Sequence, residues 1–295
     1  MKKIETLTII WDQNLWGGVD SHLAYLLNSK SFEKISVTIF SNKGNQGIAR
    51  LKKLLKNNIK FKYYKNILSP KIENSVIKKI IFLIKPLLFL ISFVRFKILF
   101  SREKSDVFLA QCGGYGTFRE EQAALLAVNK SNFKIISMVI HHACIFSPSF
   151  TNFFLRIINH YLSKKLSSLI NISKATRDSV FFKSNLLDNQ LLQSLVIHNG
   201  IEVRNHIKKK NNDNNKFLKI GLVSRIEKYK GHEDLLSAIT LLPKSYIEKF
   251  KFYFIGGGEK KEIDNLSNMI SKTNLKETVH LKGYRDKHIS EIIEE

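Results

Sequence analysis

The sequence predicts an α/β protein built as two successive halves, each a parallel sheet flanked by helices. Three observations carry that expectation. Short β-branched or aromatic runs alternate with stretches of helical periodicity along nearly the whole chain, the pattern of repeated strand–helix–strand units. The alternation breaks once, at IKKKNNDNNKF (207–217), which has too little apolar content to bury surface and reads as a connection. Glycine pairs or triplets stand where strands give way to helices, at Gly17–Gly18, Gly113–Gly114 and 256–258.

In the first half, IETLTIIW (4–11) reads as a strand. The two leading lysines and an apolar run broken by Glu5 and Thr6 do not make a secretory signal, which needs a longer apolar core. Gly17 and Gly18 then precede an amphipathic helix on which Val19, His22, Leu23, Leu26 and Leu27 recur at helical spacing. SVTIF (36–40) and IKFKYY (59–64) are strands, with the polar, basic stretch 42–58 helical between them. DVFLAQC (106–112) is a buried strand ending at Gly113. EEQAALLAVNK (120–130) is a helix, and KIISMVI (134–140) is a strand leading into His141 and His142. A helix over 150–166, the strand SSLINIS, the helix KATRDSVFFKS and the short strand SLVIHNG complete this half. After the connection come the strand FLKIGLVS, the helix GHEDLLSAITLL, the strand KFYFIGG, the helix KKEIDNLSNMISKT and the strand TVHLKGY. The expected boundary lies near residue 205, giving domains 1–204 and 205–295.

The chain has 295 residues, enough for two domains, and its 44% apolar content supports a real core. Two cysteines, Cys112 and Cys144, imply no disulfide framework and suit a reducing cytoplasm. The balance of 48 basic to 25 acidic residues gives a net charge of +23, a surface that attracts phosphates. Nucleic acid, anionic lipid and nucleotide-linked substrates all carry them. A specific nucleic-acid binder is disfavoured: the lysines are scattered, and aromatic platforms, zinc spacings and a single basic helix are missing.

VIKKIIFLIKPLLFLISFVRFKILF (76–100) is apolar, yet Lys78, Lys79, Lys85, Arg95 and Lys97 interrupt it and Pro86 sits near its middle. Three readings stand: a basic helix lying in the headgroup layer of an anionic membrane, a helix packed in the core, and a spanning helix. Central charges weigh against the last. The first is favoured.

LVSRIEKYKGHEDLLSAI (222–239) places Arg225, Lys228, Lys230 and Gly231 where a strand turns into a helix. The first N–H groups of a helix lack partners and carry a partial positive charge, so such a turn favours phosphate. Arg225 adds a planar fork and Lys230 a mobile point charge. Gly231 would let backbone approach a ligand. GGGE (256–259) repeats the geometry after the next strand, with Gly257 at its centre. A solvated basic turn and a simple tight turn remain the competing explanations. Neither a GxGxxG fingerprint nor a GxxxxGK[ST] loop is present.

Taken in order, these pieces resemble glycosyltransferase family 4. The strand, R-x4-KG and L-x-A helix of 218–239 are similar to that family's pattern, WGGVDSHLAYLL to its amino-terminal GGVE-type loop, and His141–His142 to its histidine after a strand. SLINISKATRDS, VIHNGIEV, FYFIGGGE and VHLKGYRD resemble further family segments. The resemblance implies two Rossmann-like domains of the GT-B type, the second incomplete. It implies transfer of a sugar from a nucleotide-sugar donor to a lipid-linked or polysaccharide acceptor, with retained configuration, in cell-surface glycan synthesis such as that of lipopolysaccharide. On this basis Arg225 and Lys230 bind the donor diphosphate, Gly17 and Gly18 cradle phosphate or leave room for the sugar, and Gly257 borders the donor. His141 sits beside the sugar as its bond breaks, with His142 the less favoured neighbour. No metal or other cofactor is implied, because fixed cations can stabilise the leaving group. The expected location is the cytoplasmic face of a membrane, held peripherally through 76–100.

Two departures accompany the resemblance. Ser224 stands where the family usually has glycine, and the family's E-x7-E pair would fall beyond HISEIIEE; Glu291, Glu294 and Glu295 do not replace it. The expectation that follows is a truncated chain with an uncovered sheet edge in its second half. A non-catalytic remnant that keeps acceptor or membrane surfaces is therefore the alternative to an enzyme.

Overall fold

A computed structural model describes residues 3–14, 16–56, 59–69, 74–144, 151–187, 189, 192–201 and 217–285. Most of the connection at 207–217 and the glutamates at 291, 294 and 295 lie outside these residues. The chain divides into two compact units, 1–202 and 203–295.

The first unit is a seven-stranded sheet in the order β3-β2-β1-β4-β5-β6-β7, with every neighbouring pair parallel. Its strands are β1 (Thr6–Trp11), β2 (Ser36–Asn42), β3 (Lys60–Tyr64), β4 (Ser105–Cys112), β5 (Phe133–Ile140), β6 (Ser168–Asn171) and β7 (Gln193–Val196). The helices are α1 (Gly18–Leu27), α2 (Ile48–Leu54), α3 (Ser75–Leu99), α4 (Glu120–Ala127), α5 (Thr151–Lys165) and α6 (Lys174–Lys183). Covered on both faces, the central strands read as continuous apolar runs. One face packs Leu7, Ile9, Trp11, Ile39 and Leu109 against Leu23 and Leu27 of α1 and Leu51 of α2. The other carries an aromatic chain, Phe40–Phe100–Phe108–Phe133, with successive centroids 5.0, 5.2 and 5.2 Å apart and mostly edge-on.

Trp11 pairs with Ser41 and Gln111, and Cys112 with Ile140, so the carboxyl ends of β1, β2, β4 and β5 share one edge. Strand order reverses between β1 and β4, and the crevice at such a reversal is where open α/β sheets receive ligands.

The 42–58 helix is shorter than its composition suggests. β2 runs to Asn42, and α2 begins only at Ile48. Asn42 Oδ1 accepts from Gly44 N (3.0 Å) and Asn45 Oδ1 from Gly47 N (2.8 Å), giving the backbone turns in place of a helical start.

The 76–100 segment is one helix, α3, capped by Asn74, whose side chain accepts from Val76 N and Ile77 N. Pro86 lies inside it and cannot donate to the Phe82 carbonyl. One side is anchored: Phe89 and Phe96 are buried, and Arg95 Nη2 meets the fully buried Glu120 Oε2 at 2.9 Å. Glu120 Oε2 also accepts from Ser92 Oγ, while its Oε1 accepts from Ile67 N (2.7 Å) and Leu68 N (3.3 Å), so each oxygen serves two donors. The opposite side is open, with Leu83 65% and Ile98 72% exposed. Core packing and a bare apolar side therefore coexist on one helix. Among the described residues, no helix is long and apolar enough to cross a membrane.

The second unit has three parallel strands in the order β10-β9-β8, namely β8 (Leu218–Val223), β9 (Phe250–Ile255) and β10 (Val279–Gly283). Helices α7 (His232–Thr240), α8 (Lys244–Ile247) and α9 (Lys260–Ser271) accompany them. Phe252, Phe254, Leu236, Ile239, Leu266 and Ile270 form its core.

Candidate active site

In the second unit the loop after β8 is stitched to the glycine triplet after β9. Ser224 N donates to Ile255 O (3.1 Å) and Ile226 N to Gly257 O (2.8 Å). Buried Ile226 pins the loop to the core. A Cβ on Gly256 would stand 1.8 Å from Ser224 O, and one on Gly258 would stand 2.5 Å from Ile226 O. These two glycines are needed for packing, a demand the sequence pattern did not separate from ligand contact. Gly257, the position singled out for the donor, has room: its nearest neighbour would be Tyr284 Cβ at 3.4 Å. Gly231 caps α7 with φ +79°, the left-handed conformation that favours glycine, so the turn itself accounts for it.

The cations on this loop have local partners. Arg225 Nη1 pairs with Glu227 Oε1 at 2.9 Å, and its Nη2 donates to Tyr229 Oη at 3.4 Å. The Lys230 ammonium lies 4.9 Å from the centre of the Tyr229 ring. Arg225, Tyr229 and Lys230 thus form one patch, and Glu227 orients the Arg225 fork at a half-exposed pair that gives way readily to a stronger anion. Glu233 and Asp234 already place negative charge on the first turn of α7. The helix end is consequently a poorer phosphate seat than the two side chains. Glu227 and Tyr229 were not singled out by the sequence pattern.

In the first unit, Gly17 caps α1, and Asp20 one turn later turns back: its carboxylate accepts from Gly17 N (2.5 Å) and from Trp11 Nε1 (2.8 Å). A buried carboxylate there repels phosphate, which leaves the loop better suited to a neutral sugar. A Cβ on Gly18 would meet nothing within 4 Å, so this glycine borders open space.

His141 follows β5 and is buried, whereas His142 is exposed. Its Nε2 lies 2.7 Å from Gln111 Oε1, and its ring meets the His22 ring edge-on at 4.9 Å between centroids. Burial, with like charge from His22 and His142, pushes its pKa down to about 3. The ring is neutral near pH 7. With the Gln111 oxygen facing Nε2, the proton belongs on Nε2, and Nδ1, which has no partner, is left as an acceptor. His141 can therefore receive a hydrogen bond from a sugar hydroxyl but cannot serve as a cation. Gln111 and His22 were missed because neither is near His141 in sequence.

On the α3–α4 side of the same edge sits a second polar group. Asp12 Oδ2 accepts from Asn66 Nδ2 (2.7 Å), while Oδ1 has no partner at hydrogen-bonding geometry. Neither oxygen of buried Glu121 meets a donor from another residue at that geometry; Arg119 Nη1 is 3.9 Å from Oε1. Burial above all, with neighbouring carboxylates adding to it, raises Asp12 to about 6 and Glu121 to about 8. A raised acid binds its proton more tightly folded than unfolded. Its contribution to stability is present below the unfolded value and is lost as pH climbs through the folded one. Glu121→Gln should accordingly gain on the parent as pH rises from 5 to 8, by on the order of 5 °C in Tm. Melting curves at several pH values check this, and a constant difference contradicts it. Among the described residues no three His, Cys, Asp or Glu side chains gather in a way that could hold a metal.

Residues 203–295 match the family model for glycosyl transferases group 1. The match covers the second unit, and with the GT-B type of the two-unit architecture it supports a glycosyltransferase. Anabaena Alr3699/HepE, crystallised with UDP and glucose, has a similar structure: TM-score 0.63 and 16% identity, covering 99% of this chain and 72% of that one. TarM is similar at TM-score 0.66 and 14% identity, covering 99% and 79%. The UDP-GlcNAc 2-epimerase of Neisseria meningitidis, bound to UDP-GlcNAc, gives TM-score 0.53 and 14% identity, covering 99% and 74%. At these identities the likeness concerns the fold alone. No curated protein sequence matches the chain.

Proposed function

We propose that this glycosyltransferase moves a sugar from a nucleotide-sugar donor to a lipid-linked or polysaccharide acceptor, with retained configuration, as a member of family 4. The observation that carries the reading is the Arg225–Tyr229–Lys230 patch on a loop fixed to the glycine triplet within the matched domain. Cleavage at the anomeric carbon releases a nucleoside diphosphate, and most of the chemical task is to stabilise the charge on that group. Two preset cations supply this without a bound metal. Within the first unit, the open space beside Gly18 and the Nδ1 acceptor of His141 are features that suit a sugar. The UDP-sugar complexes of proteins sharing the fold support a donor of that class.

The acceptor is placed at a membrane's cytoplasmic face, with the open side of α3 in contact with anionic lipid. The bare apolar row and the basic surface favour that placement. Titration calorimetry with UDP-, GDP- and ADP-glucose tests the donor class. Heat from one of them is expected. Silence from all three, with UDP-GlcNAc also silent, would favour the remnant that binds acceptor or membrane alone.

A further inference from the structure

The surface of α3 does not stand alone. α5 carries its own bare row, Phe153 (66% exposed), Ile157 (43%) and Tyr161 (60%), spaced four residues apart and so stacked along one side of the helix. Both helices lie on the same face of the seven-stranded sheet, since Phe89 and Phe96 of α3 and Leu155 and Leu162 of α5 enter one core. Between them α4 is buried at every residue except Leu126 and packs against each neighbour. Among the described residues, α3 and α5 present the outer surface on either side of α4, and α6, which enters the same core through Val180, lies on this face as well. Two apolar rows therefore flank a covered helix.

Charge says what such a face fits. α3 has five basic residues and α5 has three, Arg156, Lys164 and Lys165, while neither helix contains an aspartate or glutamate. At the carboxyl ends the cations converge. Lys130 Nζ reaches Lys164 O at 3.2 Å, and burial together with Lys130 and Lys97 pushes Lys165 down to about 8. A second copy of this chain would bring the same cations face to face at a net charge of +23. An anionic bilayer offers what both features require: an acyl boundary for Phe, Leu, Ile and Tyr, and headgroup phosphates for Lys and Arg.

We propose that α3 and α5 together form one docking face for an anionic bilayer, with Phe153, Ile157 and Tyr161 entering the lipid alongside Leu83, Leu87 and Ile98. This rests on the membrane placement given above and adds a second helix to it. Spanning is not involved: the helices lie along the surface, and the pair between Arg95 and the buried Glu120 keeps α3 fixed to α4 as it docks.

Flotation of the full chain with vesicles of phosphatidylcholine alone, and with 30% phosphatidylglycerol, reads the claim. Glutamine substitutions keep the net charge, so they report on insertion. The parent should float with the anionic vesicles only. Leu83→Gln/Leu87→Gln and, separately, Phe153→Gln/Ile157→Gln/Tyr161→Gln should each lower partitioning by about tenfold or more. These side chains are exposed, and unchanged melting curves will show that the variants remain folded. A blue shift of an environment-sensitive dye at Phe153→Cys on vesicle addition provides a second readout. If the α3 variant loses binding while the α5 variant floats like the parent and the dye does not shift, the two-helix face is wrong and α3 alone docks. If neither variant differs from the parent, or the parent never floats, the membrane placement itself fails. Concentration-dependent self-association abolished by the α5 substitutions would identify a dimer face and equally overturn the proposal.

Discussion

Replacing Arg225 by alanine should weaken binding of the nucleotide-sugar donor by about 10- to 100-fold, and Lys230→Ala should act in the same direction. The estimate is that of one charge-assisted hydrogen-bond partner, about 1.5–3 kcal/mol. Arg225→Lys should recover only part, because a point charge cannot reproduce the two-pronged grip. The loss in kcat should exceed the loss in ground-state affinity. Negative charge on the diphosphate grows as the glycosidic bond breaks, so the cations matter most in the transition state. Glu227→Gln separates orientation from charge. With a neutral amide oxygen in place of its 2.9 Å carboxylate partner, Arg225 keeps its charge but is held less firmly in its preset direction, and a modest fall in kcat is expected. Steady-state kinetics on the four variants checks the series. Equal rates for parent and Arg225→Ala would remove the arginine from the site.

A larger effect on the protein itself is expected at Gly256. A methyl group there would fall 1.8 Å from the Ser224 carbonyl oxygen, which is backbone and cannot rotate away. Either the β8–β9 pairing shifts or the loop carrying Arg225 lifts off, at a cost of roughly 3 kcal/mol or more for overpacking of this kind. Gly256→Ala should therefore melt at clearly lower temperature and lose donor binding, although Gly256 offers no side chain to a ligand. Gly257→Ala is the control, since its methyl group would face Tyr284 at ordinary contact distance. It should melt like the parent. If it also loses donor binding, Gly257 lines the donor; if binding is intact, it does not. A Gly256→Ala protein as stable as the parent would contradict the stitched-loop geometry.

What the sequence could carry follows from local physics. Strand–helix alternation and the polar connection reflect period and composition, which are local, and the parallel sheet of the first unit appears strand by strand as expected. Arg225, Lys230 and Gly231 fall on a strand-to-helix loop as the pattern implied. Facts that need another part of the chain were not legible. Gly256 is required by a carbonyl 32 residues earlier, His141 is set by Gln111 30 residues earlier, and Glu120 holds α3 through Arg95. The asparagines at 42 and 45 misled the helix boundary because their side chains compete with the helix for backbone N–H groups. The 76–100 segment resisted a single reading for a physical reason: one side of α3 is core and the other is surface. Cys112 and Cys144 are simply buried thiols, each pushed up to about 12 above all by burial.

The sharpest test compares a nucleoside diphosphate with its nucleoside. Calorimetric titration of the parent and of Arg225→Ala/Lys230→Ala with UDP and with uridine, or with the guanosine or adenosine pair if calorimetry selects those, isolates the diphosphate contribution. If the two cations grip the leaving diphosphate, the double variant loses most of its affinity for the diphosphate and binds the nucleoside as the parent does. Undiminished diphosphate binding, or an equal loss for both ligands, would contradict that role.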